Sequence, residues 1–493
     1  MVGKKWHLIA VLLVAGCSGN PAKPAATILD KKAPSEWHIS DVRYQPERTI
    51  ADPTADGKDY YWEPTKYQPD GEEKLIFELK SGGPKLGVDS NPPKIQLIGI
   101  PADMAAVREM SRHLVSAVRR KTLPVAKYGF GPFGVSNDLY FGHTFWDMDV
   151  WVLPAMLFLA PDAAKSMATY RLDRSDQAIH NFGPSPRGTD EQIIMKFPWE
   201  SSVTGKEVCV AKTKLQEHIS GDVVWGLTQA EAMGIIGSTL TSPISKAVDG
   251  YYQTRSTKTA RGLEMKDVTS PNEKFTGDND LYTNLLAEWI HHSRTWKQSP
   301  TYYLPKDAKS FLNYDNDPLR DYQQVAGLLS IYPLQYPPAE KQAEAMLNRF
   351  ESGLSPYGPA MGHSIIATIW ARLGRGHKAY QAWKQSWAPY MNGPNNLFSE
   401  RKNVARSYFY TGAAGAMNTV IYGFAGFRID RVPLPGALWK KKMKSGWWLS
   451  CKPCVPGEIG KILLNGIAVD DEKYDFIMSS TGEFSAKISA LKG

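Results

Sequence analysis

Phe145-Trp146-Asp147-Met148-Asp149 is the stretch that puts the rest of the chain in order. Alone, an aromatic pair beside an Asp is ordinary packing followed by a helix cap. Three later segments fall into register with it: Pro198-Trp199-Glu200-Ser201, Ser270-Pro271-Asn272-Glu273 and Phe398-Ser399-Glu400, the last followed by Thr411-Gly412-Ala413-Ala414-Gly415. Outward from these segments the pattern is helical. From about residue 102, Met104, Val107, Met110, Leu114 and Val118 fall on one face, and so do Leu281, Leu285, Trp289 and Ile290. Further helices are expected over 338–350, 364–373, 377–388 and 411–424. The span 102–425 holds 324 residues, or 27 per helix and connection if twelve helices are present. Periodicity alone does not say how such helices pack.

The flanks read differently. Residues 36–100 are rich in Pro, Gly, Asp and Tyr, with strand-like runs at Leu75-Ile76-Phe77-Glu78-Leu79 and Ile95-Gln96-Leu97-Ile98-Gly99-Ile100. After Pro433 and Pro435 strands return, with Lys461-Ile462-Leu463-Leu464-Asn465-Gly466 ahead of an expected hairpin at Ser480-Thr481-Gly482. Heptads, fixed-period repeats and low-complexity blocks are absent from the sequence.

Residues 1–16 read as an export signal: Lys4 and Lys5 precede an apolar run, Leu8 to Val14, that is too short to span a bilayer. The run closes on Val14-Ala15-Gly16-Cys17, which resembles a bacterial lipobox. That resemblance implies diacylation of Cys17 with cleavage before it, and Ser18 next to it implies outer-membrane attachment. An ordinary signal peptide with an incidental Cys is the alternative. Residues 17–35, with Pro21, Pro24 and Pro34, read as a tether. Without residues 1–16 the chain keeps 56 basic against 50 acidic residues, a net +6. That excess is mild for so long a chain, and no long basic stripe suggests nucleic acid. The run Lys440-Lys441-Lys442 with Lys444 reads as a solvated face, with contact to anionic lipid or envelope polysaccharide as the alternative. Cys451 and Cys454 lack a second Cys or His pair at zinc spacing, so a disulfide or two free thiols is expected rather than a metal. His291 and His292 adjoin on a helix and point apart, which is no metal pattern. No cofactor is expected.

In their order, the four motif segments resemble glycoside hydrolase family 65, the α-glucoside hydrolases and phosphorylases that include acid trehalases and protein-glucosylgalactosylhydroxylysine glucosidase. The resemblance covers about residues 129–435. It implies a mainly α chain: an α/α toroid (six-hairpin barrel) over 101–435, between a short β-rich segment at 36–100 and a small β appendage at 436–493. It further implies an exo-acting, inverting hydrolase that releases glucose from an α-glucoside or a glucosylated glycan; with the lipobox at Cys17, a cell-envelope lipoprotein is expected. The alternatives are a catalytically impaired glycan-binding lipoprotein on the same scaffold, or an α-glucoside phosphorylase.

Inverting cleavage needs a protonated carboxyl at the leaving oxygen and a second carboxylate, about 6.5–9.5 Å away, to activate water. The resemblance makes Glu273 the acid, because Pro271-Asn272-Glu273 is followed by Asn279 and by Tyr282-Thr283-Asn284 as in the family. It makes Glu400, ahead of the Gly-rich helix start, the base for water. A phosphorylase would carry a phosphate loop of Ser, Thr and His; residues 392–410 hold no His, and Glu400 would repel phosphate. Both carboxylates precede helical runs, so loops at one end of the helices are expected to bring them together. Asp147 and Trp146, with Trp199 and Glu200, match residues that hold the terminal glucose, since sugars present CH faces to aromatic rings and hydroxyls to carboxylates. Gln324 matches a family Gln, while Gln323 stands where the family has Lys and Asn272 where it has Asp. His218 matches a family His, or is simply a hydrogen-bonded structural residue.

Overall fold

The computed structural model describes residues 94–118, 125–134, 139–183, 193–209, 215–318, 320–324, 326–392, 397–403 and 408–489, together with the strand backbones 50–51, 59–67 and 75–81. The export signal, Cys17 and the tether lie outside the described residues.

The chain is mainly helical. The first long helix, Pro101–Val118, begins at a proline, whose missing N–H is one the first turn leaves unbonded anyway. It buries Val107, Met110, Leu114 and Val118, whereas Met104, in its first turn, is exposed. Asp103 ties this turn to the helix Gly376–Trp387, accepting from Tyr380 Oη at 2.8 Å and Lys384 Nζ at 2.6 Å. Such outer helices alternate apolar and polar faces. The inner helices do not: His218–Ala232 and Tyr410–Asn418 are buried throughout, as is Leu281–His291 up to Ile290. A helix enclosed on all sides shows no 3.6-residue stripe.

Six inner runs pack each against the next: 148–159, 218–232, 281–291, 326–330, 362–372 and 410–424, and the last returns to the first. Outside them lie Pro161–Leu172, Thr241–Arg255, Ala343–Phe350, Gly376–Trp387 and Pro101–Val118, each bridging two inner neighbours. Small residues allow the inner contacts. A Cβ on Gly415 would stand 2.7 Å from Ser364 Oγ, and one on Gly412 would stand 2.5 Å from Phe398 Cε1. Two inner runs contain π-helical turns, Met148–Val152 and Thr419–Phe424. The expected helix over 338–350 is divided at Gln342 into Pro337–Lys341 and Ala343–Phe350.

The strand Ile95–Ile98 pairs antiparallel with Lys461–Leu464, so it joins the four-stranded sheet built by the C-terminal strands Lys461–Val469, Glu472–Ser479 and Phe484–Ile488. The hairpin at Ser480–Gly482 is present, closed by Ser479 N–H to Glu483 O at 3.0 Å. Of the basic run, Lys441 pairs with Glu472 and Lys444 with Asp471. Cys451 and Cys454 are free thiols, as is Cys209. Among the described residues no helix is long and apolar enough to cross a membrane.

Candidate active site

The chain reaches one cavity from the starts of its inner helices. Asp147 immediately precedes the turn at 148–152, Glu273 precedes Leu281–His291, Gln323 and Gln324 precede Ala326–Ser330, and Glu400 precedes Tyr410–Asn418. Local chemistry fixes each approach. Asp280 caps the helix Leu281–His291, accepting from Thr283 N–H at 2.8 Å and Thr283 Oγ1 at 2.7 Å. Arg171 grips the Asp147 segment from behind. It donates to both oxygens of the buried Asp149, with Nη2 2.5 Å from Oδ2, and to Phe145 O at 3.2 Å. Removing one partner of such a buried pair costs roughly 3–5 kcal/mol, because the other charge is left uncompensated.

The cavity, about 740 Å³ and open at its mouth, is lined by Trp146, Asp147, Trp199, Glu273, Gln323, Gln324 and Glu400, together with Tyr140, Phe145 and Arg401. It thus gathers seven of the nine proposed catalytic and sugar-holding residues. Trp199 meets Phe145 edge to face, with ring centroids 4.8 Å apart. Asp147 is buried, with Oδ1 accepting from Thr411 Oγ1 at 2.7 Å. Burial, with Glu400 and Asp149 nearby, pushes its carboxyl up to about 6 against the pull of the Thr411 bond. Burial likewise pushes Glu273 up to about 7, and Asp147 and Glu400 add to the rise. The result is a carboxyl that still carries its proton near neutral pH, facing other carboxylates across one cavity. That is the electrostatic condition for a general acid.

Two expected sugar ligands lie behind the wall instead. Glu200 is 2 % exposed and accepts from, or shares a proton with, His143 Nδ1 at 2.8 Å. In a non-helical segment adjacent side chains point apart, so Trp199 takes the cavity and Glu200 the interior. His218 has no exposed surface, and both its ring nitrogens are engaged: Nδ1 with Asp222 Oδ2 at 2.6 Å and Nε2 with Gln216 Oε1 at 2.9 Å. It belongs to the first turn of a fully enclosed helix and does not reach the cavity.

Other contributors carried no readable motif. Glu207 accepts the backbone N–H groups of Trp199, Glu200 and Cys209 at 2.8, 3.3 and 3.1 Å, and so sets the course of the Trp199 segment. Burial raises its carboxyl to about 7. Tyr140 faces the carboxylates, and burial together with Glu400 and Glu273 holds its hydroxyl protonated. The two departures from the family pattern touch each other. Asn272, fully buried, accepts the backbone N–H of Gln323 on Oδ1 at 2.8 Å. Among the described residues no group of three or more His, Cys, Asp or Glu is placed to hold a metal ion.

A helical scaffold that gathers carboxylates and indoles around one open cavity has the mixed apolar and polar lining that suits a pyranose. Residues 113–331 match the glycosyl hydrolase family 65 central catalytic domain. The chain is 29 % identical to the kojibiose hydrolase of Flavobacterium johnsoniae over 409 residues, covering 78 % of this chain and 56 % of the relative. It is 26 % identical to the protein-glucosylgalactosylhydroxylysine glucosidase of Danio rerio over 395 residues, covering 74 % and 57 %. The chain therefore spans just over half the length of these curated relatives. A solved structure, "Putative kojibiose phosphorylase from human microbiome", superposes with a TM-score of 0.59 at 16 % identity, over 80 % of this chain and 60 % of that one. This likeness concerns the fold.

Proposed function

We propose that the chain is an exo-acting, inverting α-glucoside hydrolase. The observation that carries the reading is Glu273, raised to about 7, sharing one cavity with Glu400 and Asp147. In this mechanism the Glu273 carboxyl gives its proton to the glycosidic oxygen as the bond from that oxygen to C1 breaks. Positive charge develops on C1 and the ring oxygen. Glu400 takes a proton from a water on the opposite face, and the water oxygen bonds to C1, so glucose leaves as the β anomer. Asp147, fixed by Thr411, accepts sugar hydroxyls, while Trp146 and Trp199 cover the apolar ring faces. Gln323 and Gln324 supply neutral hydrogen bonds at the rim.

The six inner runs that close on themselves, each backed by outer helices, support an α/α toroid with the cavity at the helix-start end. We read 36–100 as an N-terminal β-rich segment, 101–435 as the toroid and 436–493 as the β appendage, with Ile95–Ile98 shared into the last sheet. The names of the relatives favour kojibiose or a glucosyl-galactose unit as substrate. The test offers trehalose, kojibiose, nigerose, maltose and glucosyl-galactose to protein beginning after Cys17, and follows the anomer released by NMR. β-Glucose as the first product supports the proposal, and α-glucose excludes inversion. Sugar binding without turnover transfers the site to the second reading, a glycan-binding lipoprotein, which Asn272 and Gln323 favour.

A further inference from the structure

Behind Glu273 runs a line of polar groups that the proposed reaction does not use. Tyr282 donates from its hydroxyl to Asp222 Oδ1 at 2.7 Å. The other oxygen of Asp222 holds His218 Nδ1 at 2.6 Å, and His218 Nε2 holds Gln216 Oε1 at 2.9 Å. With Oε1 held there, the amide nitrogen of Gln216 is left over, and Gln216 lies near enough to Glu273 to favour its ionised carboxylate. That nitrogen is buried and has no hydrogen-bond partner within bonding geometry. His218, Asp222 and Tyr282 have no exposed surface, and Gln216 has 3 %. The line is anchored on two enclosed helices, His218–Ala232 and Leu281–His291, and the indole of Trp146 packs edge-on against His218 at 4.9 Å.

Four buried polar side chains in series are costly unless each is satisfied. Packing alone would be served better by apolar residues at these positions. The series is satisfied at every link except its last, the amide nitrogen, and that link faces the proposed acid.

We propose that Gln216 is a positioning residue for Glu273: clamped from behind by His218 and Asp222, its amide holds the carboxyl in place and donates a hydrogen bond to it once the proton has left. The inference rests on Glu273 being the acid. A carboxyl that gives up a proton inside a cavity already holding Asp147 and Glu400 needs a donor for its new charge, and Gln216 is that donor. The groups facing Glu273 are Asp147 and Glu400 across the cavity, Tyr140 and Arg401 on its wall, and His218 behind Gln216; those facing His218 are Asp222, Asp280 and the Tyr282 hydroxyl. None of them occupies the place of the amide.

The experiment compares kojibiose, whose leaving group needs a proton, with α-glucosyl fluoride, whose leaving group does not. Gln216→Met keeps the shape and removes the donor. Its kcat on kojibiose should fall by about ten- to hundredfold, the factor carried by a hydrogen bond to a charged group, with KM little changed. Turnover of the fluoride should be preserved, and the basic limb of the kojibiose pH profile should move to higher pH. Gln216→Glu, a second variant of the same size, puts a like charge beside the acid and should move that limb further up. Equal losses on both substrates, or a limb that stays in place in the folded variants, overturns the proposal and leaves the series a purely structural one. Glu273→Gln separates the two levels. If it still hydrolyses kojibiose, the acid assignment falls and takes the proposal with it. If it is inactive on kojibiose and active on the fluoride while Gln216→Met behaves as wild type, only the proposal falls.

Discussion

Replacing Glu273 by Gln should abolish hydrolysis and at the same time stabilise the protein at alkaline pH. In the unfolded chain a Glu ionises near its ordinary value of 4.5, whereas burial, Asp147 and Glu400 hold Glu273 in the folded protein up to about 7. Between these two values the folded state keeps a proton that the unfolded state has lost. Stability is therefore fully present below about 4.5, falls as pH rises through this window, and stays lowered above about 7. Each pKa unit corresponds to about 1.4 kcal/mol. Discounted for the part of Glu273 that opens to the cavity, the loss amounts to roughly 2–3 kcal/mol. The amide of the variant carries no such liability, so Glu273→Gln should match wild type near pH 4.5 and exceed it at pH 8. For a domain of this size the gain corresponds to roughly 2–4 °C in melting temperature. Thermal unfolding of both proteins across pH 4.5 to 8.5 measures the difference directly. A difference that does not grow with pH, or one that favours wild type at pH 8, refutes the claim that Glu273 is a strained, proton-holding acid.

Glu400→Gln should lose hydrolysis by at least about a thousandfold while still binding glucose, because a general base and the placing of its water are lost together. Wild-type turnover should be independent of inorganic phosphate, and accumulation of glucose 1-phosphate would overturn the hydrolase reading in favour of a phosphorylase. Thr411→Val removes the hydrogen bond that pulls the Asp147 carboxyl down from its buried value. The acidic limb of kcat/KM should accordingly move to higher pH, and an unmoved limb would argue against an ionised Asp147 on the sugar. For the envelope expectation, full-length protein should partition with membranes after expression in a bacterium with lipoprotein processing, and Cys17→Ala should release it. Equal partitioning of the two would reject lipidation.

The sequence announced the cavity better than the scaffold around it. Trp146, Asp147, Trp199, Glu273, Gln323, Gln324 and Glu400 were legible because the segments that carry them resemble a family's motifs in the same order. Glu200 and His218 were not separable from them, since adjacency in sequence does not say which of two neighbours faces a cavity. The outer helices, such as Pro101–Val118, were legible through their single apolar face. His218–Ala232 gave no periodic signal because every side chain in it is buried, and its polar members His218 and Asp222 are satisfied internally rather than by water. The strand Ile95–Ile98 was visible as a strand, but its partner some 365 residues later was not, because register between distant strands is settled by packing and not by either strand alone. Glu207 and Gln216 were silent for a related reason: they act through backbone amides and a side-chain amide, which leave no motif.

The two departures from the family pattern bear on whether the site still works. The resemblance places an acidic residue at position 272 and a basic one at 323, so the chain has lost one charge of each sign, and the local sum is unchanged. The structure explains why the losses go together. Asn272 is enclosed without exposed surface and its Oδ1 holds the backbone of Gln323. An Asp there could still accept that bond, but its charge would be buried beside the acid without the cation that position 323 would have supplied. An amide accepts the same hydrogen bond without that charge. Neutrality at 272 also removes a charge that would raise Glu273, yet burial, Asp147 and Glu400 still bring it to about 7. The proton needed for cleavage therefore does not depend on the lost carboxylate. What the exchange alters is the rim at Gln323, where a neutral amide now lines the cavity, and under the proposed function it bears first on affinity and substrate choice.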